Sequence, residues 1–200
     1  MKTATINIYK FSELPEETQE KIILSWRDND DYFWSSENKD TLDAFEEIFP
    51  VKIKKWEYGY HNFIDFDFTE TKEIENLTEQ RLATYLWNNY KKKLFKGKYY
   101  SNTGYYDDKK QYHYKKRYSK IILEHSCVLT GYCIDDDILE PIYKFLDKPT
   151  NINFYDLMND CLQSWVYACN KDYEYWLSEE SIKEDILNND YDFTEDGKIY

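Results

Sequence analysis

The chain has 200 residues, a net charge of −13 and an aromatic content of 19 %. This aromatic content excludes an intrinsically disordered chain, because disorder requires few aromatic residues. The charge excludes a uniformly basic nucleic-acid-binding protein and favours solubility. No apolar run approaches the roughly 20 residues that cross a bilayer, and the start lacks the apolar core of a signal peptide. We therefore expect a single folded domain over residues 1–200, located in the cytoplasm.

Three elements are predicted before residue 50. Residues 5–9 alternate polar and apolar side chains, which predicts a strand. A helix is predicted next, because Ser12 can cap its start and Pro15 suits its first turn. This helix ends near Asp28. The spacing of apolar residues then predicts a second helix over 39–49.

The apolar period changes to two after residue 50, which predicts a β-hairpin. Its first strand begins at Val51 and its second strand covers 63–68. Ile64, Phe66 and Phe68 lie on one face of that second strand, and we expect this face to be buried.

The rest of the chain predicts four helices. Helical spacing predicts one helix over 73–94. Three aspartates at 135–137 open the next helix, in which Pro141 is tolerable only near the start. The longest helix is predicted over 154–177, and Ser178 starts a final short one. Strands are predicted over 119–129 and 191–193. The predicted fold class is α+β, an antiparallel sheet packed with several helices, including a long C-terminal helix.

The charges are polarised along the sequence. Residues 91–120 carry eleven cations and two carboxylates, whereas 172–196 carry ten carboxylates and one cation. Residues 28–47 are also acidic. The acidic ends either neutralise the basic middle within the fold or contact a partner, and a carboxylate-rich surface can occupy a basic groove that normally holds nucleic acid.

The basic segment interleaves tyrosines with its lysines. Cations beside aromatic rings are what single-stranded nucleic-acid sites use, through phosphate pairing and base stacking. The alternative is a long twisted hairpin whose lysines discourage edge pairing and whose tyrosines pack across strands. The candidate residues for binding RNA or DNA are Lys109, Lys110, Tyr112, Tyr114, Lys115, Lys116 and Arg117.

The sequence contains none of the usual nucleophile, metalloprotease or nucleotide-binding motifs. We therefore predict a protein that is not an enzyme and has no catalytic residues, no cofactor and no metal. Zinc ligands usually come in pairs two to four residues apart, and the cysteines do not, so we expect reduced, metal-free thiols. The aspartates at 135–137 are explained by the helix dipole rather than by a bound cation. The cysteines are Cys127, Cys133, Cys161 and Cys169.

Two stretches resemble the two ends of small phage proteins. Residues 11–21 (FSELPEETQEK) with Trp26-Arg27-Asp28 resemble an L-x-E-E-x-x-E-K-A-x-x-x-x-R opening, with Ile22 in place of Ala. Residues 172–180 (DYEYWLSEE) and 191–197 (YDFTEDG) resemble an E-Y-E-Y-L-x-S-x-E … F-T-E-D-G ending. Such proteins are commonly labelled hypothetical phage proteins or antitoxins of a toxin–antitoxin stability system. Members of this family often carry a G-F-x-S-Q-G-D-G-A-x-F turn after the second helix. The corresponding region here, GYHNFIDF at 59–66, departs from that pattern because it lacks Gly-Asp-Gly.

The resemblance implies a phage or prophage origin, where small acidic proteins often block host defences, including CRISPR effectors. We therefore predict a phage-encoded, non-enzymatic, anti-CRISPR-like inhibitor that acts in the host bacterial cytoplasm. It would bind a defence nuclease or its nucleic-acid groove, and no membrane. The alternatives are a nucleic-acid-binding accessory protein that uses the basic segment and an antitoxin that neutralises a toxin. The candidate partner-binding residues are Asp28, Asp30, Asp31, Glu179, Glu180, Glu184 and Asp185.

Overall fold

The computed structural model describes residues 6–28, 32–98, 104–114 and 122–200. Within these ranges the chain forms seven α-helices and small antiparallel sheets, so the predicted α+β class is confirmed. In chain order the elements are β1 (Ile8–Lys10), α1 (Glu16–Asp28), α2 (Ser35–Ile48), β2 (Val51–Glu57), β3 (Phe63–Phe68), α3 (Lys72–Glu75), α4 (Glu79–Leu94), β4 (Lys96–Lys98), β5 (Gly104–Tyr106), β6 (Tyr112–Tyr114), β7 (Ile122–Glu124), α5 (Ile134–Asp147), α6 (Phe154–Trp176), α7 (Glu179–Asn188) and β8 (Asp192–Thr194).

The chain divides into two compact units. Unit 1 combines Met1–Ser35 with Cys169–Tyr200, and unit 2 is Ser36–Ala168. Helix α6 begins in unit 2 and ends in unit 1. The prediction of a single domain over residues 1–200 stays a prediction.

Unit 1 joins the two ends of the chain. Strands β1 and β8 pair antiparallel, with Tyr9 opposite Phe193, and Phe193 also bridges to Ile199. Helices α1 and α7 pack together beside this sheet. The buried core of the unit consists of Phe11, Leu14, Ile22, Ile23, Ile182, Ile186 and Phe193.

The start of α1 differs from the prediction. Ser12 lies in a single 3₁₀ turn, Phe11–Glu13, and does not cap α1. The Glu13 carboxylate accepts the backbone N–H of Lys10 at 2.8 Å and stabilises that turn. Helix α1 begins after Pro15, whose carbonyl accepts the first helical N–H groups. The predicted strand over 5–9 appears as β1, and residue 5 lies outside the described ranges.

In unit 2 the predicted hairpin is confirmed. Strands β2 and β3 pair antiparallel from Val51 opposite Phe68 to Glu57 opposite Phe63. Ile64 and Phe66 are buried, as the alternation predicts, and Phe68 is half-buried. The core of unit 2 is built mainly from α2, α4, α5 and α6, and its fully buried side chains include Leu42, Phe45, Leu82, Leu86, Ile138, Ile142, Phe154, Leu157 and Trp165.

The helix predicted over 73–94 is two helices, α3 and α4. The chain between them leaves the helical path because Thr78 forms a β-bridge with Asn153. The N–H of Glu79 then donates to the carbonyl of Thr150 at 3.0 Å. A pairing with a segment so distant in sequence overrides the local helical pattern.

Pro141 lies in the middle of α5, so the prediction that it sits near a helix start is wrong. Proline has no N–H to donate to the carbonyl four residues earlier. That carbonyl belongs to Asp137, and the Ser164 hydroxyl of α6 donates to it at 2.8 Å. A neighbouring helix therefore satisfies the group that Pro141 leaves without its helical partner.

The C-terminal helices agree with the sequence pattern. Helix α6 covers Phe154–Trp176, and Ser178 caps α7 by accepting the N–H of Ser181 at 3.1 Å. The strand predicted over 119–129 appears only as β7, which pairs with β4. Residues 119–121 lie outside the described ranges, and the chain after β7 turns instead.

Candidate functional site

The acidic residues near the two ends of the sequence come together in unit 1. Asp28 ends α1, and Glu179, Glu180, Glu184 and Asp185 lie on α7, which packs against α1. All five side chains are exposed. Asp30 and Asp31 lie outside the described residues.

Carboxylates dominate this unit. Its described residues include fifteen carboxylates and six cations. Four of the cations are already engaged with carboxylates of the unit, and Arg27 donates to the carbonyl of Leu177 at 2.9 Å. The ion pairs are Lys10 with Asp190 and Asp192, Lys21 with Glu17, Lys183 with Glu179, and Lys198 with Asp196.

Four of the five described acidic residues form no ion pair within the described part of the chain, and Asp185 is one of them. Among the residues that the structure describes, no cation lies within ion-pair distance of Asp28, Glu180 or Glu184. Glu179, in contrast, is paired with Lys183, and the hydrogen bond from Lys183 lowers the pKa of Glu179. The exposed surface of α1 and α7 therefore has more carboxylates than cations.

A cleft of about 580 Å³ opens beside these helices, entirely within unit 1. Its apolar walls come from α1, the junction of α6 with α7, and the C-terminal residues. Polar groups line the rest, including Ser25, Ser181, Asp185 and Lys198. The apolar lining residues are Ile22, Trp26, Trp176, Leu177, Ile182 and Ile199.

The polar and aromatic edge of the cleft is held in place. The indole N–H of Trp26 donates to Asp185 Oδ2 at 3.3 Å. Asp185 Oδ1 accepts from the side-chain amide of Asn189 at 2.8 Å. The Trp26 ring also packs edge-on against Tyr191, with 5.5 Å between ring centroids. These contacts fix the Asp185 carboxylate at the edge of an apolar surface.

The turn at Gly197 brings the C-terminal residues to the cleft. Gly197 has φ +84°, and a Cβ placed there would lie 3.1 Å from side-chain carbons of Ile22 and Thr18. Thr194 closes the turn, since its N–H donates to the carbonyl of Lys198 at 2.9 Å. Sequence reasoning did not single out Gly197, although an Asp-Gly pair after a strand indicates a tight turn.

The described part of the basic segment includes a hairpin of β5 and β6. Asp107 organises its tip, because Oδ1 accepts the N–H groups of Lys109 and Gln111 at 2.9 Å. His113 Nε2 donates to Asp107 Oδ2 at 2.8 Å, and this bond is the main cause of the lowered pKa of Asp107. The rings of Tyr106 and Tyr112 pack together across the strands, 5.1 Å apart.

This hairpin shows cross-strand tyrosine packing, which is expected when the basic segment is interpreted as a twisted hairpin. Lys109, Lys110 and Tyr112 are exposed at the tip, and Tyr114 pairs with Gly104. Lys115, Lys116 and Arg117 lie outside the described residues. Binding of RNA or DNA by this segment stays a prediction.

The aspartates at 135–137 do more than start α5. Asp135 is fully buried. Its Oδ2 accepts the backbone N–H groups of Leu129, Thr130 and Gly131 at 2.7–3.0 Å. Its Oδ1 accepts the hydroxyls of Thr41 and Thr130 at 2.8 Å. The carboxylate thus holds the loop before α5 onto α2, a role that the helix dipole does not explain.

The four cysteines are free thiols in different surroundings. Cys161 and Cys169 are fully buried, and burial raises the pKa of Cys161. Cys133 is exposed, and the neighbouring Cys127 is the main cause of its raised pKa. No cluster of three or more histidine, cysteine or acidic side chains that could hold a metal occurs in the described part of the chain.

None of the helices within the described ranges combines the length and apolar character needed to span a membrane. Comparison of the chain with models of protein families, with curated proteins and with solved structures finds no match.

Proposed function

We propose that the protein is a non-enzymatic inhibitor that binds a basic surface of a protein partner through the acidic surface of unit 1. The observation that carries this proposal is the arrangement of exposed carboxylates of α1 and α7 beside an apolar cleft. We call the exposed carboxylates Asp28, Glu180 and Glu184 the acidic triad.

The arrangement has the composition of a protein-binding surface. Such surfaces combine an apolar centre containing aromatic residues with a polar rim. Here Trp26 and Trp176 belong to the centre, and the acidic triad belongs to the surrounding helices. Charge complementarity accelerates association and selects the partner.

The chemistry of the surface favours a partner that normally holds nucleic acid. A groove that binds phosphates is lined with lysine and arginine, and clustered carboxylates compete for the same cations. The resemblance of both ends of the chain to phage proteins directs the proposal to a bacterial defence nuclease, including CRISPR effectors. The inhibitor would act in the host cytoplasm.

The experiment adds the purified protein to a panel of purified bacterial defence nucleases and measures cleavage of a target DNA. We expect inhibition of at least one nuclease, with a stable complex visible by size-exclusion chromatography. Failure to inhibit or to bind any nuclease of the panel would contradict the defence role. Cleavage or modification of the nuclease by the protein would contradict the non-enzymatic mechanism.

A further inference from the structure

The cleft of unit 1 has the dimensions of a ligand-binding site. Its volume of about 580 Å³ lies within the ~300–1,000 Å³ of typical ligand pockets. Its walls are mostly apolar, and Ile199 at one wall remains 54 % exposed. Covering such a surface with a bulky apolar side chain removes apolar area from water, which is favourable.

The charges around the cleft determine what else the ligand carries. The lining includes one carboxylate, Asp185, and one cation, Lys198, whose ammonium group lies 2.7 Å from Asp196. Asp28 lies one helical turn beyond the lining residue Ser25 on α1, and Glu184 lies one helical turn beyond the lining residue Ser181 on α7. Carboxylates therefore flank the cleft on both helices, and an anionic ligand would be repelled.

We infer that this cleft binds a lysine- or arginine-rich segment of a protein, whose bulky apolar side chain enters the cleft while a neighbouring cation pairs with Asp185. The inference rests on the proposed function, and it names the chemistry that the partner presents to the same surface. The Asp185 carboxylate is already oriented by Trp26 and Asn189. Little ordering of Asp185 is then needed on binding, and this preorganisation favours affinity.

The two tryptophans add to the preference for a basic segment. Trp26 and Trp176 both line the cleft and are partly exposed. A tryptophan face attracts the ammonium group of lysine or the guanidinium group of arginine. An apolar ligand without cations would use the walls but gain nothing from Asp185.

The test uses the full chain and an amphipathic helical peptide of leucine and lysine as the probe. Two matched peptides replace lysine by glutamate or leucine by serine. Binding is measured by the shifts of the tryptophan indole N–H signals in NMR spectra at about 0.15 M salt. We expect saturable binding of the leucine–lysine peptide, with shifts of the Trp26 and Trp176 signals, and at least tenfold weaker binding of both matched peptides.

Three variants distinguish binding of the peptide in the cleft from nonspecific electrostatic attraction of the peptide to the acidic surface. Asp185→Asn removes the charge and retains an oxygen for the Trp26 indole, and we expect about fivefold weaker binding, the size of one exposed ion pair. Lys198→Glu should strengthen binding by a similar factor. Ser25→Phe, which narrows the cleft at constant charge, should weaken binding at least tenfold. Each variant is first shown to unfold at a temperature close to that of the unchanged protein.

Several results would overturn the inference. They are a leucine–lysine peptide that does not bind, equal binding of the leucine–glutamate peptide, or unchanged affinity in a folded Ser25→Phe protein. A failed peptide test combined with inhibition that still requires the acidic triad would remove this inference and leave the proposed function. Peptide binding without any nuclease inhibition would support this inference and remove the proposed function.

Discussion

Gly197 is the residue at which the C-terminal turn meets α1. It has a left-handed backbone conformation and no room for a side chain next to Ile22 and Thr18. Gly131 offers a matched comparison, since it also has positive φ, +98°, but nothing lies within 4 Å of a Cβ placed there. Comparing substitutions at these two glycines separates the cost of backbone strain from the cost of steric overlap.

We expect Gly131→Ala to lower the free energy of unfolding by about 1 kcal/mol, from backbone strain alone. Gly197→Ala adds crowding against α1 and should cost about 2–4 kcal/mol. Denaturant unfolding measures both variants. Equal losses would mean that crowding of a side chain at position 197 against α1 is unimportant for stability.

Asp135 is the residue on which the loop before α5 depends. Its carboxylate accepts five hydrogen bonds in a buried site. Asp135→Ala leaves all five donors without this acceptor and should cost about 4 kcal/mol. Asp135→Asn retains an amide oxygen for the N–H groups and should cost about 2 kcal/mol.

The control for Asp135 is Glu140→Gln on the same helix. Glu140 forms an exposed ion pair with Lys144, so its loss should change the free energy of unfolding by less than about 0.5 kcal/mol. Denaturant unfolding, with hydrogen exchange of the Thr130 amide as a local probe, checks this ranking. A loss at Asp135→Ala as small as that of the control would contradict the role given to the carboxylate.

Thiol reactivity tests the surroundings of the cysteines. Because the thiolate is the reactive form, a buried thiol with a raised pKa reacts slowly. We expect Cys133 to react with an aromatic disulfide reagent in the native protein, while Cys161 and Cys169 react only after unfolding. Mass spectrometry identifies the labelled residues. Rapid labelling of Cys161 in folded protein would be inconsistent with its burial.

At the scale of elements, α5 contains a proline whose effect is compensated by α6. Ser164→Ala should cost about 1–2 kcal/mol, because the Asp137 carbonyl loses its donor. Pro141→Ala supplies a backbone N–H that can bond to the same carbonyl. In a double-mutant cycle we therefore expect Ser164→Ala to cost less in the presence of Pro141→Ala, with a coupling of at least about 0.5 kcal/mol. Denaturant unfolding of the four proteins gives this value, and zero coupling would refute the compensation.

The elements that sequence predicts well are those whose signals are local. The apolar spacing and the Ser178 cap predict α6 and α7, and the alternation after residue 50 predicts the hairpin of β2 and β3. The break between α3 and α4 could not be predicted, because Thr78 pairs with Asn153 far along the chain. The Asp135 hydrogen bonds similarly depend on Thr41 of α2.

The candidate site was predictable in part. The acidic composition of α7 and of the end of α1 identified exposed carboxylates, although the sequence did not show that the two helices pack together. The cleft escaped prediction because its lining comes from positions such as Ile22, Asp185 and Lys198. Only the packing of unit 1 brings these residues together.

At the scale of the whole molecule, the two stretches on which the predicted resemblance to phage proteins depends belong to one unit. Residues 11–28 form the 3₁₀ turn before α1 and α1 itself, and residues 172–197 run from the end of α6 through α7 and β8. They share the core of unit 1, and a Cβ placed at Gly197 of the second stretch would lie 3.1 Å from the side chain of Ile22 of the first. The predicted resemblance, which stays a prediction, therefore concerns the unit that carries the acidic surface and the cleft.

The measurement that tests the central claim most directly compares charge reversal in the two units. One variant carries lysine at the acidic triad, Asp28, Glu180 and Glu184. The control carries lysine at three exposed carboxylates of unit 2, namely Glu70, Glu73 and Asp147. Both change the net charge equally, and thermal unfolding first establishes that both are folded.

The readout is the concentration of protein that halves target cleavage by the inhibited nuclease, measured at two salt concentrations. We predict that reversal of the acidic triad raises this concentration at least tenfold, whereas the control variant changes it less than threefold. Added salt should weaken inhibition by the unchanged protein. Equal effects of the two reversals, or full inhibition by the triad variant, would contradict the claim that the acidic surface of unit 1 binds the partner.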